Sequence, residues 1–176
     1  MVLGARLKNT LHLVCYVGQE YKLVTTQLTK TVVLADVVSF CTRREVISQT
    51  PIVKAKRGPV PKGYREALNE LERDGAIRII LRSEDFELAQ FEILTPPPLD
   101  DFNGEEKEII KETVHLVCQY TPEELSELTH NEAWELCEMG EEIPLGAYFP
   151  SKHVKATQER LDCLRNELTE AGYEFV

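Results

Sequence analysis

The chain has 176 residues, of which 43% are hydrophobic and 28% are charged. This length and composition suit one well-packed globular domain and exclude a disordered chain. No apolar run approaches the roughly 20 residues that span a bilayer, and the first residues lack the apolar core of a secretory signal. Five cysteines, an odd number without close pairs, argue against a disulfide framework and predict a reducing, cytoplasmic location.

The formal net charge of −10 is unevenly distributed. Positions 43–65 contain seven basic residues and one acid, whereas positions 100–150 contain fourteen acids and two lysines. The excess of negative charge disfavours indiscriminate nucleic-acid binding, because phosphates would be repelled over most of the surface. The acidic stretch leaves open the recruitment of a basic partner.

Apolar residues at helical spacing predict three helices in the first half of the chain. The first ends at Gly18, and the second begins at a cap formed by Thr25 or Thr26. Two apolar rows on the second helix indicate a central, largely buried element. Positions 51–61 read as a loop. The residues behind these predictions are Leu7, Leu11 and Val14; Leu28, Val32 and Ala35 with Val33, Val37 and Phe40; and Tyr64, Leu68 and Leu71.

After the third helix the pattern changes to alternation, which predicts one small β-hairpin. Gly75 suits the left-handed cap that ends the helix. Ile77 and Ile79 begin a strand with one buried face. A return strand is predicted from Phe86 to Ile93, with a bulge at positions 89–90 where the alternation slips by one residue.

The second half of the chain is predicted to be mainly helical. Pro96-Pro97-Pro98 forms a stiff connector, and helices follow Asn103 and Thr121, the latter with a capping box and proline at its first position. Apolar content continues through Leu125, Leu128, Trp134 and Leu136 to Gly140; positions 143–149 are predicted to be extended and 151–172 to be a last helix. The fold class is therefore mainly α (α+β), with one compact helical domain over residues 1–176 and one hairpin.

The sequence offers no converging set of catalytic residues. It contains no phosphate-binding glycine loop and no nucleophile elbow. The nearest approach to a metal pattern is His115 with Cys118, plus His130 and Cys137, which lacks the two tight ligand pairs of a structural zinc site. We therefore expect no catalytic residue, no metal and no cofactor, although a Cys–His pair that meets only in space stays open.

Three segments in this order resemble the Panacea domain family, which includes the SocA-like antitoxins. The first runs from Leu28 to Asp36 and contains Lys30; the second is Gly58-Pro59-Val60-Pro61 with the later Asp74-Gly75; the third runs from Leu128 to Trp134 and is followed by Gly140. Together they cover roughly residues 7–145. The chain departs from the family pattern where aromatic residues are common, at Val32 to Leu34 and at Lys56-Arg57, which puts the identity of the partner in question more than the architecture.

The resemblance implies a non-enzymatic protein that neutralises a toxin, often one encoded by the adjacent gene, by direct binding. Some relatives resemble adaptors that deliver a bound toxin to a protease complex, and family members also occur in phages and prophages. No membrane association is implied, and nucleic acid is not the expected partner.

Five residues are candidates for partner binding, each with an ordinary structural alternative. Lys56 and Arg57 are expected to be presented outward by a rigid Gly58-Pro59 turn. His130 and Trp134 can stack if one helix carries both, either as interface anchors or as core filling. Asp36 lies on an apolar helix and needs a partner, for which an intramolecular contact is the favoured interpretation. Lys30, Gly58, Pro59 and Gly75 are assigned to the structural motif.

Two other functions stay open. Residues 64–93 could form a winged-helix-like unit of a DNA-binding transcriptional regulator, with the basic stretch before it contacting phosphates. The helix that would enter the groove contains four acids between positions 66 and 74, which disfavours that role. A small hydrolase or metal protein is the remaining alternative.

Overall fold

The computed structural model describes residues 4–81, 86–130 and 132–148. Within them the chain forms six α-helices and two antiparallel strand pairs, which confirms a mainly helical α+β fold and adds a second strand pair to the single predicted hairpin. The helices are α1 (Ala5–Val17), α2 (Thr25–Arg43), α3 (Tyr64–Arg73), α4 (Gly104–Val117), α5 (Pro122–Thr129) and α6 (Glu132–Leu136). The strands are β1 (Ile52–Ala55), β2 (Gly58–Pro61), β3 (Ile77–Ile80) and β4 (Gln90–Ile93).

The central helix is α2, as its two apolar rows predict. Leu28, Val32 and Val33 are fully buried, and the helix packs against α1, α4 and β2. The predicted threonine cap is wrong, because the residue before the helix is Val24. The hydroxyls of Thr25 and Thr26 instead donate to the carbonyls of residues 86 and 87, at 2.7 and 3.0 Å, and so attach the start of α2 to the segment before β4.

Gly75 ends α3 in the predicted left-handed conformation, with φ of +72°. The Gly75 N–H donates to the Glu72 carbonyl at 3.0 Å, and the Ala76 N–H donates to the Leu71 carbonyl at 2.9 Å. This pair of bonds is the Schellman arrangement, which satisfies carbonyls left open at a helix end. The chain then leaves α3 directly into β3.

The predicted hairpin pairs β3 with β4, with Ile77 opposite Ile93 and Ile79 opposite Phe91. The return strand is shorter than predicted, because residues 86–88 form a single 3-10 turn and β4 begins at Gln90. The four pairs run in unbroken register, so the predicted bulge is wrong. The bonds from the start of α2 hold the carbonyls of this turn and draw residues 86–88 out of the strand.

Positions 51–61, predicted to be a loop, form the hairpin β1–β2. The two prolines that suggested a loop are tolerated because of the register: Pro59 lies opposite Lys54, and Pro61 lies opposite Ile52. Lys54 directs its N–H to the Glu141 carbonyl and its carbonyl to the Gly140 N–H, both at 2.9 Å and both away from β2. The Lys54–Pro59 pair therefore requires no proline donor.

Residues 140–143 bond to the other side of β1. The Ile143 N–H donates to the Ile52 carbonyl at 2.8 Å, and Glu142 forms a β-bridge with Val53. The extended conformation predicted for 143–149 is wrong at Leu145–Tyr148, which form a 3-10 helix. Residue 149 and the predicted helix over 151–172 lie outside the described residues.

Both helix starts predicted in the second half are confirmed. Asn103 and Glu106 form the capping box of α4, and Thr121 and Glu124 form that of α5. The apolar content predicted to continue to Gly140 is interrupted, because α5 ends at Thr129. Leu128 and Leu136 are 47% and 86% exposed and do not join the core.

One hydrophobic cluster contains residues of the helices α1, α2, α3 and α4 and of the strands β2 and β3. Its contributors on α4 include Ile110 and Val114, which are fully buried. A single domain over all 176 residues stays a prediction. Within the described ranges, no helix combines the length and apolarity needed to cross a membrane.

Candidate functional site

The turn of the first hairpin presents two of the predicted partner-binding residues. Lys56 and Arg57 connect β1 to β2, with Lys56 exposed and Arg57 partly exposed. Gly58 and Pro59, predicted to set the turn, lie just after it as the first buried residues of β2. Gly58 has a φ of +94°, a backbone conformation that glycine adopts without strain. The glycine therefore allows the chain to reverse directly into a buried strand.

Gly58 is also required by the lack of space around it. A Cβ at this position would lie 2.5 Å from Lys30 Nζ, 2.9 Å from Thr129 Oγ1 and 3.1 Å from His130 Cδ2. Three elements thus converge on one α-carbon: α2, β2 and the end of α5. The structure brings together Lys30, Gly58 and His130, which the sequence placed in three separate segments.

Lys30 is fully buried beneath the hairpin. Its Nζ donates to the Pro59 carbonyl at 2.8 Å, which connects α2 to β2. Burial lowers the pKa of Lys30 to about 7, and the negative charge of Glu87 opposes this shift in part. Removing the ammonium from water costs free energy. The hydrogen bond from Lys30 to β2 therefore holds the hairpin in place, while the burial of the lysine lowers the free energy of unfolding.

His130 and Trp134 stack beside the turn. Their ring centroids are 3.8 Å apart and their planes differ by 8°. The stacking was expected on one continuous helix, but His130 is the C-cap of α5, with a φ of −79° and a ψ of 96°, and α6 begins only at Glu132. The two rings therefore stack although the helical conformation of α5 ends before His130.

Lys54 covers the other side of this aromatic pair. Its Nζ lies 4.3 Å from the centroid of the Trp134 ring and donates to the Cys137 carbonyl at 2.8 Å. The indole Nε1 donates to the Ala55 carbonyl at 3.3 Å. A cation over an indole face is attracted by the ring quadrupole. Trp134 is thereby held against β1 by its contacts with Lys54 and with Ala55, and it stacks on His130 as well.

His130 retains an unused polar atom. Its Nε2 is buried without a hydrogen-bond partner among the described residues. Burial lowers the pKa of His130 first, and the nearby charges of Lys30 and Lys54 lower it further. Both effects favour the neutral ring, and the charges of Glu127 and Glu135 oppose them in part.

Exposed apolar side chains follow the aromatic pair along the chain. Leu136 is 86% exposed and Met139 is 63% exposed. Lys54 attaches their segment to β1 through the carbonyls of residues 135 and 137. Sequence reasoning did not identify Lys54, Leu136 or Met139 as site residues, because their exposure and grouping depend on the helix break at His130. We define the hairpin surface as Lys54, Lys56, Arg57, Trp134, Leu136 and Met139.

Asp36 lies inside the fold and not on this surface. It is fully buried, and it accepts hydrogen bonds from the Ser48 N–H at 2.8 Å and from the Ser48 hydroxyl. Burial raises the pKa of Asp36 to about 6, against the opposing effect of the Ser48 hydrogen bonds. The carboxylate therefore fixes the loop after α2, and its burial keeps it from the surface that a partner would meet.

The residues considered for a metal do not gather. The Cys118 thiol donates to the His115 carbonyl at 3.1 Å, and His115 Nδ1 lies 3.1 Å from the Tyr21 hydroxyl. His130 stacks on Trp134 instead. Among the described residues, no group of three or more histidine, cysteine or acidic side chains is placed to hold a metal ion.

Fold and site together define a mainly helical α+β domain with a buried lysine beneath a glycine-proline hairpin. The family model described as Antitoxin SocA-like, Panacea domain matches residues 28–135, more than half of the chain. The chain belongs to this family, as the resemblance in its three segments predicts. Neither the comparison with curated proteins nor that with solved structures gave a match.

Proposed function

We propose that this chain is a non-enzymatic antitoxin that neutralises a protein toxin, encoded by an adjacent gene, by binding it through the hairpin surface. Membership of the antitoxin-like family supports a toxin partner. The observation that carries the choice of surface is the ordered Trp134, held by His130 and Lys54 beside an exposed basic turn. Ordered aromatic and basic side chains are typical anchors of protein interfaces, because little entropy remains to be lost on binding.

The charge and the rigidity of the surface suit this role. Lys56 and Arg57 form a two-residue turn, which places a basic pair on a chain of net negative charge. The exposed Leu136 and Met139 add apolar area nearby. An acidic region on the toxin, close to an apolar pocket, would complement both features.

The first experiment is co-expression with the adjacent open reading frame, scored by growth and by co-purification through one tag. We expect the neighbour alone to arrest growth, and this chain to restore growth and to co-purify with it. Lys56→Glu combined with Arg57→Glu should weaken the complex at least tenfold. A matched control, Lys22→Glu with Arg73→Glu, changes the charge equally on exposed residues elsewhere and should bind as the parent does.

Three results would separate the proposal from its alternatives. Growth rescue that needs a host protease and leaves no stable complex would favour proteolytic delivery over direct blockade. A neighbour that is neither toxic nor bound would contradict the antitoxin assignment altogether. Equal loss of binding in both charge variants would contradict the choice of the hairpin surface, but not the antitoxin assignment.

The DNA-binding alternative finds little support in the structure. Residues 64–93 do place β3–β4 after α3, as in a winged-helix unit. The exposed face of α3, however, contains Glu66, Glu70 and Glu72, which DNA phosphates would repel. A salt-sensitive mobility shift with the promoter DNA of the chain's own gene would favour the DNA-binding alternative.

A further inference from the structure

A second surface lies between the last part of α2 and α4, away from the hairpin surface. It is a groove of about 710 Å³. Its lining residues are Val38, Thr42, Arg43, Glu105, Glu108, Ile109, Glu112, Thr113 and Leu116. None of them belongs to the hairpin surface, so the two surfaces can be tested separately.

The floor of the groove is apolar and open to solvent. Val38 is 43% exposed and Leu116 is 47% exposed, and Ile109 is partly buried. Ile109 and Leu116 are seven residues apart on α4, which places them on one face about 10 Å apart. A helix of two to three turns fits a floor of that length.

The α4 side of the groove is acidic. Glu105, Glu108 and Glu112 are spaced three and four residues apart, so they form one row on the helix. Arg43 is the single basic residue of the lining, and it pairs with Glu105 at 3.3 Å and with Glu45 at 2.6 Å. Lys111, outside the lining, pairs with Glu108 at 3.5 Å, so Glu112 is the member of the row without an ion pair among the described residues. The lining therefore has an excess of negative charge beside an apolar floor.

We infer that this groove docks an amphipathic helix of a partner protein whose apolar stripe is flanked by lysine or arginine. The apolar stripe would cover Val38, Ile109 and Leu116, and the flanking cations would meet the glutamate row. Amphipathic helices that bind in grooves place their apolar anchor residues at this spacing. Complementary charges fix the register of the bound helix and raise its association rate. The inference does not depend on the proposed function and gives the chain a second docking surface.

The test uses the full-length chain and a fluorescein-labelled 14-residue peptide of leucine and lysine with leucines at helical spacing. We expect micromolar binding by fluorescence anisotropy, weakened as salt is raised. Val38→Arg combined with Leu116→Arg changes two exposed positions, so the fold is retained, and should weaken binding at least tenfold. A scrambled peptide of equal composition should bind at least tenfold more weakly. Equal binding of the two peptides would overturn the inference, because it would show that peptide charge alone causes the binding.

A second pair of variants isolates the glutamate row. Glu108→Gln with Glu112→Gln should weaken binding severalfold and reduce its salt dependence. Glu66→Gln with Glu123→Gln removes the same charge from exposed positions outside the groove and should have little effect. Equal effects of the two pairs would overturn the inference. The uncharged change Leu136→Ser with Met139→Ser should leave peptide binding unchanged, which separates this surface from the hairpin surface.

Two other occupants give distinct results, and either would overturn the inference. If a second copy fills the groove, sedimentation will show a dimer that Val38→Arg with Leu116→Arg converts to a monomer. If the chain's own residues 151–176 fill it, the peptide will bind only after Leu161→Arg with Leu164→Arg. Peptide binding to a monomer without those changes supports the partner helix.

Discussion

Gly58 is the residue on which the hairpin surface depends most directly. Its φ of +94° disfavours any side chain, and a Cβ would lie 2.5 Å from the Lys30 amine. We expect Gly58→Ala to lower the free energy of unfolding by about 3 kcal/mol, through backbone strain together with displacement of the lysine. Urea denaturation measures this loss.

Gly63 provides the matched control for that substitution. Its φ of +79° is similar, but nothing lies within 4 Å of a Cβ placed there. Gly63→Ala should therefore lose only the backbone contribution, about 1 kcal/mol. Equal losses at the two positions would mean that crowding against Lys30 contributes nothing.

Lys30 should make the stability depend on pH. Because its pKa is about 7 in the fold and near 10.5 when unfolded, the unfolded chain binds more protons between these values. The free energy of unfolding should therefore rise with pH in that window, by up to about 2 kcal/mol between pH 7 and pH 9. Lys30→Met should remove this rise, as judged by denaturation at both pH values. An unchanged slope in the variant would place the titration elsewhere.

The sequence named residues that lie together in the structure, but it did not predict the contacts that they make. Lys30, Gly58, Pro59 and His130 were named from a family pattern, and the structure brings them into contact. Asp36 was named for its apolar neighbours, and its partner, the backbone and side chain of Ser48, lies twelve residues away in a loop. A short pattern cannot reveal such a partner, because loop conformation determines which polar groups meet a buried carboxylate.

At the scale of elements, α5 positions Thr129 and His130 against Gly58. The start of this helix depends on Thr121, whose side chain accepts from the Glu124 N–H at 3.3 Å. Thr121→Ala should lower the free energy of unfolding by about 1 kcal/mol, because a helix N–H loses its acceptor. Thr121→Ser keeps the hydroxyl and should retain most of the stability. If serine and alanine behave alike in urea denaturation, the cap contributes little here.

How well an element is predicted depends on the sequence separation of the residues whose interactions form it. The starts of α4 and α5 and the end of α3 were predicted because capping boxes and the Gly75 cap act within a few residues. The hairpin β1–β2 was missed because its two prolines are acceptable only in a register fixed by residues 140–143. The break after α5 was missed because no proline or glycine marks it; its C-cap is His130.

At the scale of the whole molecule, one shared core predicts one cooperative unit. Ile110 on α4 is fully buried, and Trp134 is the single tryptophan of the chain. Ile110→Ala should lower the free energy of unfolding by about 3 kcal/mol through lost burial and a cavity. The loss should be equal by tryptophan fluorescence and by far-ultraviolet circular dichroism, because both report the same transition.

The control for this prediction is Leu81→Ala, since Leu81 is 60% exposed. Its effect should stay within about 0.5 kcal/mol. If fluorescence and circular dichroism give different midpoints for Ile110→Ala, the hairpin surface unfolds separately from the α2–α4 core, and the prediction of a single domain is wrong.

The pairing around β1 restricts how another chain can attach to the first hairpin. β1 is bonded on one side to β2 and on the other to residues 140–143. The outer side of β2 has lost two donors to proline, and its Pro59 carbonyl is occupied by Lys30. An incoming strand needs a free row of N–H and C=O groups, and the described part of this hairpin offers none. Any ligand of this face must therefore be recognised through side chains.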